Sequence, residues 1–194
     1  MRSATLERNT FETKIKGTLN LDGSGQGEVN TGVGFFDHML ALFKKHAQFD
    51  LDLTCEGDLA VDAHHTVEDC GIVLGQALKE ALGGKESIRR YSTQFVPMDE
   101  ALVMVSLDIS GRPFLSYNMD LAKTKTGDFD TELCEEFFRA LAMNAGVTLH
   151  INQQYGKNTH HIIEAAFKAL GRALREAASI DKSTAGVMST KGML

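Results

Sequence analysis

Along the first half of the chain, apolar residues change their spacing from every second position to every third or fourth. Alternation predicts strands with one buried face, and helical spacing predicts amphipathic helices. Asp37 is the expected N-cap of the first helix, and Gly83 is expected to end the second. The predicted elements are a strand over 10–21, a hairpin partner over 28–31, a helix over 37–46, a strand over 49–56 and a long helix over 64–82.

The second half of the chain shows the same change of spacing. Thr131 is the expected N-cap of a helix that Gly146 ends. The predicted elements are a strand over 101–109, a segment over 114–119 that pairs back on it, an exposed loop over 120–130, a helix over 131–145, a strand over 147–152 and a second long helix over 159–178.

The two halves therefore share one order of elements. Val147 follows Phe49 by 98 residues, and His160 follows His64 by 96 residues, at matched places in that order. We predict an α+β fold in which a small antiparallel sheet with two helices on one face is duplicated within the chain. The repeats are predicted over about 1–92 and 93–194, in a single compact domain spanning 1–194.

Composition and charge exclude several classes of protein. The 194 residues carry a formal net charge of −6, which gives no electrostatic reason to expect nucleic acid as a partner. No apolar run approaches the roughly 18 residues of a membrane span, and the first residues lack the apolar core of a signal peptide. Three widely spaced cysteines fit buried free thiols in a reducing compartment. We expect a cytoplasmic protein.

The candidate chemistry lies at the starts of the two long helices. Each begins with His-His-x-x-Glu, which uses His64, His65 and Glu68 in the first half. Residues three and four apart on a helix share a flank, whereas adjacent histidines point about 100° apart and serve two different metal ions more easily than one. Imidazole and carboxylate ligands suit a first-row ion such as manganese or iron. Because the motif occurs twice, at equivalent places, metal binding is favoured over an ordinary surface pair.

The shorter helices add one candidate ligand in each half. Moving 98 residues from His38 reaches Glu136, and both residues lie near the start of a helix. Two six-coordinate ions could share the resulting ligands and keep positions open for substrate or water. The eight predicted ligands are His38, His64, His65, Glu68, Glu136, His160, His161 and Glu164.

With these motifs laid out, the chain resembles the imidazoleglycerol-phosphate dehydratases of histidine biosynthesis. The resemblance covers nearly the whole chain, although many members of that family have His where this chain has Glu136. It is carried by the segments 8–13, 36–40, 62–69, 97–100 (Pro-Met-Asp-Glu), 110–113, 158–165 and 189–192 (Ser-Thr-Lys-Gly).

The resemblance implies a duplicated fold of the ribosomal protein S5 domain 2-like type. It also implies two Mn²⁺ ions per active site and an assembly of 24 subunits with active sites between subunits. The implied reaction removes water from D-erythro-imidazole glycerol phosphate and gives imidazole acetol phosphate. Two ions holding the imidazole ring would stabilise the negative charge that forms when a carbon-bound proton is removed.

The resemblance also implies roles for individual residues. Glu12, placed on the exposed face of the first predicted strand, matches the family's substrate-contacting glutamate and is the expected proton carrier. Glu68 and Glu164 are further candidate bases, although a metal-bound carboxylate is a weaker one. His38, His64, His65 and His160 are expected to contact the substrate, and His46 is expected to line the site. The residues that match the family's phosphate side are Arg90, Arg112, Lys168, Ser189, Thr190 and Lys191.

Two other functions fit the same ligands. A dinuclear metallohydrolase could use them to activate water against a small phosphate ester. A metal-storage shell would need the ligands but no proton carrier. The product formed from imidazole glycerol phosphate separates the two enzymes, because the dehydratase gives a ketone and the hydrolase gives free phosphate.

Overall fold

Residues 2–122 and 124–194, which this computed structural model describes, form ten strands and four helices. In the first half they are β1 (Ser3–Asn9), β2 (Thr13–Asn20), β3 (Val29–Asn30), α1 (Gly34–Ala47), β4 (Asp50–Gly57) and α2 (His64–Leu82). In the second half they are β5 (Tyr91–Met98), β6 (Ala101–Asp108), β7 (Phe114–Asn118), β8 (Lys125–Thr126), β9 (Phe129–Asp130), α3 (Leu133–Ala145), β10 (Thr148–Tyr155) and α4 (Thr159–Ala177).

The strands form two four-stranded sheets with the same topology. The order is β1-β2-β4-β3 in the first sheet and β5-β6-β10-β7 in the second. In each, the first three strands are antiparallel and the edge strand runs parallel to its neighbour. The alternating pattern buries one face, as in β6, where every second residue from Ala101 is buried. The predicted α+β fold with an internal duplication is therefore confirmed.

Two pairings differ from the prediction. The segment over 28–31 does not close a hairpin, because carboxylates of β4 bind the preceding loop: Asp50 accepts the N–H groups of Ser24 and Gln26, and Asp52 accepts that of Glu28. This loop therefore runs beside β4, and β3 lies parallel to it. Likewise β7 does not pair back on β6 but lies parallel to β10.

The four helices pack in pairs that combine the two halves. Helix α2 covers the first sheet and α4 the second, while α1 packs on α4 and α3 packs on α2. Two equivalent glycines permit these close approaches. A Cβ atom at Gly171 would lie 2.6 Å from the carbonyl oxygen of Phe43, and one at Gly75 would lie 2.6 Å from that of Leu141. The short helix of each half thus packs on the long helix of the other half.

Several local expectations were wrong. The strand predicted over 10–21 begins only at Thr13, as β2, and the preceding strand β1 was not predicted, so Glu12 lies in the turn between β1 and β2. Neither predicted cap makes a capping hydrogen bond, because Asp37 accepts the N–H and hydroxyl of Thr31 and the Thr131 hydroxyl donates to Ala122. The region over 120–130, apart from residue 123, which lies outside the described residues, contains the β8–β9 hairpin with Phe129 fully buried.

Aromatic residues fill the space between the helix pairs. The ring of Phe167 in α4 lies 5.1 Å from that of Phe137 and 4.9 Å from that of Phe138, both in α3. All three side chains are fully buried, so they join the α1–α4 pair to the α2–α3 pair through a shared core. Among the described residues, none of the helices has the length and apolar run that crossing a bilayer requires.

Candidate metal centre

Three candidate ligands meet where α1 packs on α4. The side chain of Asn158 accepts the N–H groups of His160 and His161 and so caps the start of α4. His160 and Glu164, four residues apart, then share one face, with His160 Nε2 3.2 Å from Glu164 Oε2. His38 reaches the same carboxylate from α1, its Nε2 lying 3.6 Å from Glu164 Oε2. Two imidazoles from different halves of the chain thus face one carboxylate.

The carboxylate of this group is buried but ionised. Glu164 is only 6% exposed, and Lys168 Nζ lies 2.5 Å from its Oε1. Burial alone raises the pKa of Glu164, but the hydrogen bond and charge of Lys168 and the hydrogen bond from His160 outweigh it, so the pKa falls below its ordinary value. A charged carboxylate beside two imidazoles is a suitable ligand set for a first-row divalent ion.

The spacing of the three donor atoms also fits such an ion. The two imidazole nitrogens and the carboxylate oxygen all lie within 4.8 Å of one another. Ligands on opposite sides of an ion with bond lengths of about 2.1 Å are about 4.2 Å apart, so only a small contraction is needed. Among residues 2–122 and 124–194, the His, Cys, Asp and Glu side chains that meet this spacing are those of His38, His160 and Glu164.

The corresponding residues of the α2–α3 pair are arranged more loosely. His64 Nε2 lies 3.7 Å from Glu68 Oε2, four residues later. Glu136 of α3 and His64 line the same cavity, which has a volume of about 450 Å³. Tyr117 and Met119 also line it. The structure therefore places Glu136 on the same cavity as His64 of the other half, without closing a group as tight as that around Glu164.

The second histidine of each pair points away from the glutamate of its own helix. His65 Nδ1 lies 3.0 Å from Asp58 Oδ2, and its Nε2 lies 3.7 Å from Glu12 Oε1. These contacts place Glu12, at the turn between β1 and β2, next to the first histidine pair.

His161 repeats this arrangement in the second half of the chain. Its Nδ1 lies 2.7 Å from Glu100 Oε2, and its Nε2 lies 3.7 Å from Asp99 Oδ2. The hydrogen bond from His161 and two backbone N–H groups lower the pKa of Glu100 to about 2. Sequence reasoning missed Asp58, Asp99 and Glu100, although the segment 97–100 contains two of them and the β5–β6 turn is the counterpart of the turn that carries Glu12.

The predicted phosphate-side residues lie in two separate places. Arg90 is 8% exposed and pairs with Asp108, with 2.7 Å between Nε and Oδ1. Its Nη1 donates to the carbonyl of Met188, next to Ser189. Arg112 also faces Asp108, at 3.7 Å. This group joins the start of β5 to the C-terminal segment that carries Thr190 and Lys191.

Lys168 and His46 lie at the other end of β5. Lys168 Nζ is 3.5 Å from the Met98 sulfur, whereas Arg90 precedes Tyr91 at the opposite end of that strand. At about 3.3 Å per residue, the two ends are about 23 Å apart. His46 lies against α4, where a Cβ atom at Gly171 would be 3.3 Å from its own Cβ, and burial and the charges of Lys168 and Arg172 lower its pKa. One chain therefore does not bring all of the predicted phosphate-side residues together.

Comparison with known proteins gives a consistent result. The family model described as imidazoleglycerol-phosphate dehydratase matches residues 31–174. The chain is 63% identical to the imidazoleglycerol-phosphate dehydratase of Acetivibrio thermocellus, over 100% of this chain and 99% of that protein. It is 59% identical to that of Caldanaerobacter subterraneus subsp. tengcongensis, over the full length of both.

Solved structures show the same similarity. The crystal structure of imidazoleglycerol-phosphate dehydratase from Staphylococcus aureus superposes with a TM-score of 0.82 at 46% identity, covering 92% of this chain and 99% of that one. The structure of IGPD from Pyrococcus furiosus superposes with a TM-score of 0.84 at 40% identity, covering 97% and 100%. The chain belongs to the imidazoleglycerol-phosphate dehydratase family and is an enzyme of the hydro-lyase class.

Proposed function

We propose that this enzyme dehydrates D-erythro-imidazole glycerol phosphate to imidazole acetol phosphate, with manganese, in L-histidine biosynthesis. The observation that carries the manganese requirement is the group of His38, His160 and Glu164, whose donor atoms lie within 4.8 Å of one another. The ligand set contains nitrogen and oxygen but no thiolate, which favours manganese over a structural zinc site.

We further propose two Mn²⁺ ions per active site. Manganese held by the predicted ligands would supply Lewis-acid chemistry, which would make the carbon-bound proton next to the substrate's imidazole ring easier to remove. Because the two histidines of each pair point in different directions, each pair can serve both ions. The residues proposed to hold them are His38, His64, His65, Glu68, Glu136, His160, His161 and Glu164.

Of the three candidate proton carriers, Glu12 is the best suited. Glu164 is buried and held by Lys168, so it serves better as a ligand than as a base. Glu68 faces His64 in the same way that Glu164 faces His160. The Glu12 side chain is 53% exposed at a hairpin turn, and its contact with His65 is a distant one of 3.7 Å. It is free to move between substrate and solvent while carrying a proton.

The distribution of the cations supports an active site that is shared between subunits. Arg90, Arg112 and the residues 189–191 lie about 23 Å along β5 from Lys168 and His46. A single imidazole glycerol phosphate cannot span that distance. We therefore propose that the phosphate is bound by side chains of neighbouring copies, in the assembly of 24 subunits that the family resemblance implies.

Metal analysis combined with a product assay tests this function. The purified enzyme is expected to contain about two manganese ions per chain, to lose activity with a chelator and to regain it with Mn²⁺. Incubation with imidazole glycerol phosphate is expected to give a ketone that can enolise, without release of phosphate. Free phosphate as the product would support the metallohydrolase, and full activity in metal-free enzyme would contradict the manganese requirement.

A further inference from the structure

The second histidine of each pair contacts two carboxylates that lie outside its own helix. One carboxylate faces Nδ1: Asp58 for His65 and Glu100 for His161, at 3.0 Å and 2.7 Å. Neither contact follows from helical spacing, because each carboxylate lies on a loop outside the helix of its histidine. In both halves of the chain a carboxylate thus contacts Nδ1 of the second histidine, although the two carboxylates lie on different loops.

The chemistry of this contact fixes the proton on the ring. An ionised carboxylate only accepts hydrogen bonds, so a histidine whose Nδ1 lies beside it keeps the proton on Nδ1. Its Nε2 then has a free lone pair when the ring is neutral. A histidine that binds a metal through Nε2 commonly donates Nδ1–H to a carboxylate in this way, which orients the ring and makes it a stronger ligand.

Glu100 is held in place independently of the histidine. Its Oε1 accepts the backbone N–H groups of Lys157 and Asn158, at 3.1 Å and 2.8 Å, while Oε2 accepts from His161. The two oxygens therefore have different tasks: one anchors the loop before α4 and the other faces the ring.

We propose that Glu100 and Asp58 are positioning residues that hold His161 and His65 in the Nδ1-protonated tautomer and so present Nε2 to a metal ion. This inference rests on the proposed metal-dependent function. It adds two residues to the working site that neither the histidine motif nor its repeat contains.

The Glu100→Gln variant tests the tautomer directly. The N–H groups of Lys157 and Asn158 require an oxygen opposite them, so the amide must turn its NH₂ group towards His161. Nδ1 then has to accept, and the proton moves to Nε2. In metal-free protein at about pH 9, where the imidazole is neutral, ¹⁵N NMR is expected to show His161 protonated on Nδ1 in the native enzyme and on Nε2 in the variant.

Metal affinity provides the second measurement. Titration with Mn²⁺ against a competing chelator is expected to show an affinity about 10 to 100 times weaker in Glu100→Gln at one of the sites. The thermal midpoint of the metal-free protein should change little, because the loop anchor is kept. Glu80→Gln, at an exposed position near the end of α2, is the matched control and should leave both measurements unchanged.

Asp58→Asn provides an internal comparison. Among the described residues, both oxygens of Asp58 face only His65, at 3.2 Å and 3.0 Å. The amide of an asparagine can therefore rotate and still offer its oxygen to Nδ1, so the affinity should fall less than in Glu100→Gln. The change of tautomer is likewise expected to be smaller in Asp58→Asn than in Glu100→Gln.

An unchanged tautomer of His161 and unchanged Mn²⁺ affinity in Glu100→Gln would overturn the inference while leaving the proposed function intact. A native enzyme that binds no Mn²⁺ would instead contradict the proposed function. In that case the tautomer measurement on metal-free protein still decides whether the two carboxylates position the rings.

Discussion

In the α1–α4 pair, His38 and His160 face the buried Glu164, whose other oxygen lies against Lys168. In the α2–α3 pair, the equivalent positions hold Glu136, His64 and Glu68, and Ile72 stands where the first group has Lys168. With neutral imidazoles, His38, His160, Glu164 and Lys168 together carry no net charge, whereas Glu136, His64, Glu68 and Ile72 together carry two negative charges.

The comparison shows what duplication preserves and what it leaves free to change. The backbone keeps equivalent helix crossings, as the matched glycines show. The charge of each group depends on two positions that the crossing does not constrain. They hold His38 and Lys168 in one group and Glu136 and Ile72 in the other. Lys168 already offsets the charge of Glu164 without a metal ion, whereas Ile72, at the matching position, offers no charge to Glu68.

Removing the carboxylate that both histidines face should have the largest effect. Glu164→Gln keeps the shape but removes the charge, which leaves the half-buried Lys168 without its partner. We expect the variant to lose one of the two metal ions and all measurable turnover. Elemental analysis and the dehydration assay check this, with Glu176→Gln, near the far end of the same helix, as the control. A variant that retains both ions would break the comparison between the two groups.

Replacing the proton carrier should have the second-largest effect. Glu12→Gln is expected to lower the turnover number by about 100 to 10,000 times, because proton transfer to or from the substrate is lost. Its metal content should stay native, since Glu12 is not among the proposed ligands. Steady-state kinetics and elemental analysis test the two statements separately. The control is Glu7→Gln, on the exposed side of β1, and loss of metal in Glu12→Gln would assign Glu12 to the ligands instead.

The helix crossings should respond equally in both halves. Gly171→Ala and Gly75→Ala each place a Cβ atom 2.6 Å from a backbone oxygen, so each should lower the free energy of unfolding by about 1–3 kcal/mol. Gly34→Ala, where nothing lies within 4 Å, is the control and should not destabilise the protein. Denaturant titration measures all three. A large difference between the two crossings would show that the duplication has lost its structural equivalence.

The exchange of a single ligand should have the smallest effect. Glu136→His replaces one of the two carboxylates beside His64 and makes this group resemble the one around Glu164. We expect a several-fold shift in affinity from Mn²⁺ towards Zn²⁺, because an added imidazole favours the latter ion. Competition titrations with the two metals measure the shift. An unchanged preference would mean that Glu136 does not bind the metal.

The long helices show how much of the fold was predictable. Helix α2 was predicted over its full length, and α4 differs from the prediction by one residue at its end, because amphipathic spacing and terminal signals are local. The duplication could be recognised for a similar reason, since repeated motifs need only one sequence. The short edge strands β3 and β7 were assigned the wrong partners, because strand pairing depends on distant residues.

The candidate site divides in the same way. His160 and Glu164 are four residues apart on a helix, so their contact could be predicted from spacing alone. The contact of His38 with Glu164 could not, because it depends on α1 crossing to the other half. The carboxylates at Asp58 and Glu100 were missed for that reason too, since a loop residue meets a helix only in the folded chain.

Helices from the two halves bring their histidines together around the proposed metal ions, and anomalous diffraction from crystals of the manganese-loaded enzyme can locate those ions. We expect two manganese peaks per chain, one of them within bonding distance of His38, His160 and Glu164. A map in which manganese lies elsewhere and these three side chains bind none would contradict this proposal.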